Sequence, residues 1–383
     1  MSLDLLTPVP EACVAQLSRK PKQVLGSQIL MHTQEEGIPE LKGIAAAIVT
    51  VTEKRNAYFS VATYDSTNFR EQLYQLFPGN WHLKIADLGN LPDGETVEDT
   101  YFALKEICFE LRQYNIIPVV IGGSHDLIFP LYESFEKNNQ LVNMVSIDSQ
   151  FDFSKEDELI SGRSYMSQIL TKEPHYLNNF TNIGFQSYYC AEEEKDLMEK
   201  LCFDAMRLGM VLDDVTDVEP ILRDADIVGI DMKCLSWHAI GDIVKGNPNG
   251  IDAKTICALA RYAGISDRVS LLGLFELPDT PIFDKLLPQI VWYFIEGMNC
   301  RFNEYPLNVG DGFLKFNVPM SNMTLTFFKS NNSGRWWVEL TDEDALNNKL
   351  KSSTLLPCTA QDYEDACKDK IPQRWYNAIK RLQ

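Results

Sequence analysis

Histidine and positive charge are scarce in this chain. Only five of its 383 residues are histidine, and 35 Lys and Arg face 54 Asp and Glu, giving a formal charge of −19. So acidic a composition excludes nucleic acid and anionic membrane surfaces as expected partners. The nine cysteines are scattered, with no C-x-x-C pair, which argues against a clustered zinc site and predicts reduced thiols of the cytoplasmic kind. The first ten residues lack the basic start and apolar run of a signal peptide. No later segment approaches 18 uninterrupted apolar residues, so no membrane span is expected. Also missing are the G-x-x-x-x-G-K-[ST] and G-x-G-x-x-G nucleotide loops, the H-E-x-x-H zinc motif and the G-x-S-x-G nucleophile elbow.

What remains is a chain that can bury a large core, with 45% hydrophobic and 23% charged residues. Short β-branched runs recur, each followed by a polar break and a segment of helical period. Eight of them predict strands, at 43–51, 82–87, 116–121, 142–148, 181–186, 209–213, 226–231 and 269–275. Several are apolar at nearly every position, as strands buried on both faces of a parallel sheet must be. Between the second and third, Val97, Tyr101, Leu104, Cys108 and Leu111 share a helical face behind a Thr96/Asp99 capping box. The expected fold class is α/β, a three-layer αβα arrangement around an eight-stranded, mainly parallel sheet. Residues 1–300 form this domain, the first 40 partly irregular. Residues 301–383 form an extension packed on it: a hairpin around 330–334, then helices at 360–368 and 372–382.

Ligands of parallel α/β sheets bind at the carboxyl ends of strands, and three of these ends are polar. They read Ile121-Gly-Gly-Ser-His-Asp126, Ile147-Asp-Ser-Gln-Phe-Asp152 and Ile230-Asp-Met-Lys-Cys234. If the backbone stays extended, Asp148, Gln150 and Asp152 share one side, as do Asp231 and Lys233. Converging His125, Asp148, Asp152 and Asp231 would suit Mn²⁺ or a similar divalent ion, because packed carboxylates without a cation repel. Taken singly, Asp148 and Asp231 read as caps of strand-to-loop turns and His125 as a local hydrogen-bonding group. Their joint placement at three strand ends favours the ion.

These residues resemble the motifs of the ureohydrolases (arginase, agmatinase, formiminoglutamase). Gly122-Gly-Ser-His-Asp126 resembles Gly-Gly-Asp-His-Ser, Asp148-x-Gln-x-Asp152 resembles Asp-x-His-x-Asp, and Asp231-Met-Lys233 resembles Asp-x-Asp. Asp87-Leu-Gly89, Ser161-Gly162, the Asn247-Pro-Asn-Gly250 turn and Phe275-Glu-Leu-Pro278 extend the match over residues 40–300, nearest the formiminoglutamases. The resemblance implies an arginase-like fold and hydrolysis of a linear C–N bond in a small amidine or guanidine by metal-activated water. It also implies assembly into a homo-oligomer, as is common in the family.

The ligands it implies for a first Mn²⁺ are His125, Asp148, Asp152 and Asp231, all present. For a second ion, Gln150 and Lys233 stand where the family has His and Asp. A protonated ammonium cannot ligate a metal, and Gln substitutes poorly for imidazole. One ion is therefore expected rather than two, with the Lys233 ammonium near the second position and with Lys233 and Gln150 as the altered catalytic pair. Glu276 is the counterpart of the carboxylate that meets the cationic end of the substrate, and Ser161 and Arg163 lie in the loop that lines its pocket. Two functions follow: a one-ion, formiminoglutamase-like hydrolase, or a non-catalytic relative with no need of an ion and a binding or structural role.

Overall fold

The computed structural model describes residues 2–17, 20–57, 64–153, 160–304, 312–321, 323–340 and 355–382. Its central sheet is built from β1 (Leu30–Met31), β2 (Ile44–Val51), β3 (Lys84–Leu91), β4 (Ile117–Ile121), β5 (Val142–Ile147), β6 (Leu177–Phe185), β7 (Asp204–Arg207), β8 (Ile227–Asp231) and β9 (Leu271–Phe275). The order is β1-β3-β2-β4-β9-β8-β5-β6-β7, and every pairing is parallel. The strands at the middle of this order, β4, β9, β8 and β5, bring their carboxyl ends side by side where the strand order reverses, the crevice at which such sheets bind ligands.

Two corrections to the expected eight strands follow. The two-residue β1 is too short to carry any periodicity. Residues 209–213 belong to the helix Leu208–Asp213, and the strand is the preceding β7. Only Leu208 and Val211 of that helix are buried, at a spacing of three, while Met210 and Leu212 are exposed; this run is apolar in composition but amphipathic in place.

Helices cover both faces. Within β2, Ile48 faces a core shared with the helices Ala253–Ile265 and Phe283–Asn299, whereas Ala47 and Val49 face a second core shared with Val97–Gln113. Alternation on a strand buried on both sides yields the uniformly apolar runs of the sequence. The Thr96/Asp99 capping box forms as expected, with Asp99 N–H donating to Thr96 Oγ1 at 3.2 Å and Thr96 N–H to Asp99 Oδ2 at 2.8 Å. The two helices of the first face touch through Gly264 and Gly297. A Cβ at Gly264 would lie 2.0 Å from the carbonyl oxygen of Phe294, so only glycine allows this approach.

Asp87, one of the motif matches, is structural. Its carboxylate takes two bonds from Arg70, Nε at 2.9 Å and Nη2 at 3.0 Å, and one from the Tyr74 hydroxyl at 2.8 Å, with both charged side chains fully buried.

After residue 304 the architecture changes to an antiparallel sheet of β10 (Phe313–Pro319), β11 (Thr324–Ser330), β12 (Trp336–Glu339) and β13 (Leu355–Cys358), in that order. β11 and β12 form the expected hairpin, pairing Phe327 with Val338 and Lys329 with Trp336. β10 and β13 add a strand on each side that the sequence reading did not include. The helices Ala360–Ala366 and Gln373–Leu382 follow, the latter held by a Trp375 indole bond to the Glu339 carbonyl at 2.8 Å. This unit meets the α/β core where Arg223 Nη2 donates to the Cys358 carbonyl at 3.2 Å and Asn377 Nδ2 to Asp204 Oδ1 at 2.8 Å. Among the described residues, no helix is long and apolar enough to cross a membrane.

Removing one partner of a buried ion pair leaves the other uncompensated. Asp87→Ala is expected to lower the unfolding free energy by about 3–5 kcal/mol in a denaturant titration; a loss below about 1 kcal/mol would mean that Arg70 is readily re-solvated.

Candidate metal centre

β4 ends in a sharp turn through Gly122 and Gly123, at φ of 104° and 74°, which non-glycine residues rarely adopt. The turn delivers His125, at the start of a short 3₁₀ segment, into full burial. Its Nδ1 lies 3.2 Å from Asp148 Oδ2, 3.3 Å from Asp152 Oδ2 and 3.6 Å from Asp231 Oδ2. Thus the four residues expected to converge do so, from the ends of β4, β5 and β8.

They converge by a different backbone route. Rather than running extended, the chain bends from residue 148, and Asp152 sits at φ 60°, in the left-handed region. Asp148 Oδ1 accepts the Gln150 backbone N–H at 3.0 Å, and Asp231 Oδ1 accepts that of Lys233 at 2.7 Å. Asp148 and Asp231 therefore each cap their own turn with one oxygen and aim the other at His125, so the capping role and the cluster coexist.

The electrostatics of this arrangement favour a cation. Burial and repulsion from Asp152 push Asp148 up to about 7, and burial with repulsion from Asp148 does the same to Asp231. For His125, burial opposes the charged imidazolium, but the surrounding carboxylates outweigh it and raise its pKa well above 6.5. Neither ring nitrogen makes an aligned hydrogen bond among the described residues, nor do Asp148 Oδ2 and Asp152 Oδ2, all buried. One atom each from His125, Asp148 and Asp152 can be chosen so that all lie within 4.8 Å of one another. A buried set of nitrogen and carboxylate donors of this kind fits a divalent ion.

The remaining candidates divide. Glu276 follows β9 at φ 57°, is buried, and accepts the His125 backbone N–H through Oε1 at 3.1 Å. Lys233, on the 3₁₀ turn after β8, places Nζ 2.7 Å from Glu276 Oε2. Burial opposes its charge, but Asp231 and Glu276 outweigh this and raise its pKa, so the ammonium persists. Gln150 contributes backbone rather than a visible side-chain role: its N–H caps Asp148 and its carbonyl accepts Asn182 Nδ2 at 2.6 Å. Ser161 is buried, its Oγ 3.0 Å from Ser164 Oγ, and Gly162 packs against the site, since a Cβ there would lie 3.3 Å from Glu276 Oε1. Arg163 is partly exposed beside this loop and donates its backbone N–H to Ser161 Oγ at 3.3 Å. Among the other histidines, His32 is buried with Nδ1 3.1 Å from the Leu88 carbonyl, and His238 stacks on Trp237.

Sequence reasoning missed the groups that hold the imidazole. The Tyr165 ring packs 4.7 Å from that of His125, and the Phe275 ring lies 5.6 Å away. Gly229 in β8 passes beneath: a Cβ there would lie 2.3 Å from Ile128 Cδ1 and 3.7 Å from His125 Nε2. A lone glycine inside an apolar strand was the legible signal of that approach. Asp126, beside His125, is raised to about 6 by burial and takes a bond from the Tyr101 hydroxyl, which in turn accepts Asn56 Nδ2 at 3.0 Å.

Comparison with known proteins places this geometry in context. The arginase family model matches residues 50–269. The formimidoylglutamase of Geobacillus sp. (strain WCH70) is 24% identical over 206 residues, which is 48% of this chain and 60% of that protein, so less than two thirds of the relative is spanned. The crystal structure of Trypanosoma cruzi formiminoglutamase with Mn²⁺ superposes with a TM-score of 0.61 at 17% identity, over 67% of this chain and 94% of that one. Formimidoylglutamase from Bacillus subtilis gives 0.61 at 12% identity, over 68% and 89%. At these identities the structural likeness is one of fold.

The ring of Tyr165 should matter more than its hydroxyl, whose contact among the described residues is a long 3.4 Å one with Ser146 Oγ. Tyr165→Ala is expected to cost about 3–5 kcal/mol of stability in chemical unfolding, and Tyr165→Phe under about 1.5 kcal/mol. Equal losses would show that the hydroxyl, not the packing, supports His125.

Proposed function

Because the arginase family model covers more than half of the chain, the chain belongs to the arginase family, and we propose that it is a formiminoglutamase-like hydrolase of a linear C–N bond in a small formimino or guanidino compound, working with one Mn²⁺ ion. One observation carries this reading: three aspartate oxygens from two strand ends surround a single buried imidazole nitrogen within 3.6 Å. His125 Nδ1 and one oxygen each of Asp148, Asp152 and Asp231 would hold the ion. When bound, it supplies Lewis acidity that makes a water nucleophilic near neutral pH.

The chain's own groups do the rest. Asp148 and Asp231 keep their site-facing oxygens in place because their other oxygens are tied to backbone N–H groups. Lys233 brings a positive charge where a family member brings a second ion, and Gln150 stands where it brings a second imidazole. Glu276 recognises the cationic end of the substrate, while Ser161 and Arg163 line the pocket mouth, the arginine meeting a substrate carboxylate. Residues 1–300 carry this machinery and 301–383 pack on it as an extension. A second reading, a non-catalytic member of the same fold, draws support from the ion pair that places Lys233 Nζ 2.7 Å from Glu276 Oε2.

Purified protein supplied with Mn²⁺ is expected to retain one ion per chain in elemental analysis, and Asp148→Ala to weaken its affinity by at least roughly 10–100-fold. Release of formamide or urea from formiminoglutamate, agmatine or arginine tests the activity. Inactivity on all three, with no ion retained, would decide for the non-catalytic reading. Gln150→His combined with Lys233→Asp is expected to raise the content to two ions per chain; a double variant that still holds one would show that Gln150 and Lys233 are not what limits the count.

A further inference from the structure

We infer that Lys233 is a tethered cation that competes with positively charged ligands for Glu276, and so sets the charge preference of the pocket. The inference shares its pocket with the hydrolase reading but depends on no bound ion. Glu276 is nearly inaccessible, its side chain 1% exposed. The backbone N–H of His125 holds Oε1 at 3.1 Å, and Gly162 closes over the same oxygen so tightly that a Cβ would approach it to 3.3 Å. The Lys233 ammonium lies 2.7 Å from Oε2, and the lysine side chain is 39% exposed where that of Glu276 is not.

This geometry makes access to Glu276 an exchange of cations. A guanidinium or amidinium group reaches the carboxylate only by displacing the ammonium, and Lys233, on a flexible four-carbon stem, can swing outward to allow it. A neutral group of the same shape gains no ion pair from the exchange. Lys233 is thus a specificity-determining residue whose effect is confined to charged ligands. Its backbone N–H caps Asp231 independently of the side chain, so changing the side chain leaves that turn its hydrogen bond at 2.7 Å.

The test compares two probes of equal shape, methylguanidinium and methylurea, by ligand-detected NMR at fixed ionic strength on the full chain. Lys233→Met is expected to bind methylguanidinium about two- to fivefold tighter than the unmodified protein, the scale of one partly exposed ion pair. Methylurea should bind equally to both, and Lys233→Arg should keep the weaker methylguanidinium affinity. Adding Glu276→Gln to Lys233→Met should erase the gain. If Lys233→Met does not fold, Lys233→Gln carries the same expectation. Unchanged methylguanidinium affinity, or an equal gain for both probes, overturns the inference. Manganese content measured on the same samples separates this failure from that of the hydrolase reading, which fails if the protein retains no ion whatever the probes do.

Discussion

Carboxylates crowded in a buried space repel one another, and much of the α/β unit is arranged around managing that repulsion. Asp148, Asp152 and Asp231 direct oxygens at one nitrogen of His125, at distances where bare like charges in low dielectric are costly. The cluster holds together because each component is anchored elsewhere. The imidazole is gripped by Tyr165 and Phe275, and Gly229 leaves room beneath it. Two of the aspartates spend an oxygen on their own turns. The positive charge of Lys233 lies 2.7 Å from Glu276 and also acts directly on Asp231, offsetting part of the rise that burial and Asp148 impose on that carboxyl.

The sheet order explains why these groups meet. β4, β9, β8 and β5 are adjacent in space although far apart in sequence, and they deliver His125, Glu276, Asp231 with Lys233, and Asp148 with Asp152 in that order across the crevice. Parallel strands present their carboxyl ends on one edge, so a four-strand stretch supplies all the charged groups from short loops. The positive φ values of Asp152 and Glu276, 60° and 57°, are the local distortions by which two of these loops aim their side chains.

Much of this was legible beforehand, for identifiable reasons. Strands buried on both faces announce themselves as unbroken apolar runs, and β2, β4, β5, β8 and β9 were readable from that alone. The hairpin of β11 and β12 and the Thr96/Asp99 cap follow local rules that survive tertiary packing. Residues 209–213 misled because an amphipathic helical turn and a short strand share the same apolar content, and β1 because two residues carry no period. In the site, the polar strand ends identified the four convergent residues, but extended geometry was the wrong vehicle: hydrogen bonds from backbone N–H groups to aspartate side chains bend the chain instead. The Lys233–Glu276 contact joins the ends of β8 and β9, and neither motif by itself announces a partner in the other.

Arg223 has a consequence for dissecting the chain. It closes the short helix Glu219–Arg223 just before β8, the strand that ends at Asp231, and it reaches into the antiparallel unit through the Cys358 carbonyl and the face of Trp337, 4.4 Å from its guanidinium carbon. Glu219 answers it from the same helix and also receives Arg335 at 3.1 Å, while Asp224 and Asp204 face Arg374 at 3.9 and 4.0 Å. Ion pairs thus run along the seam between the two units. A cut at residue 304 would therefore strip counter-ions from the approach to the strand that presents Asp231, and a fragment so made would report first on its broken ion pairs.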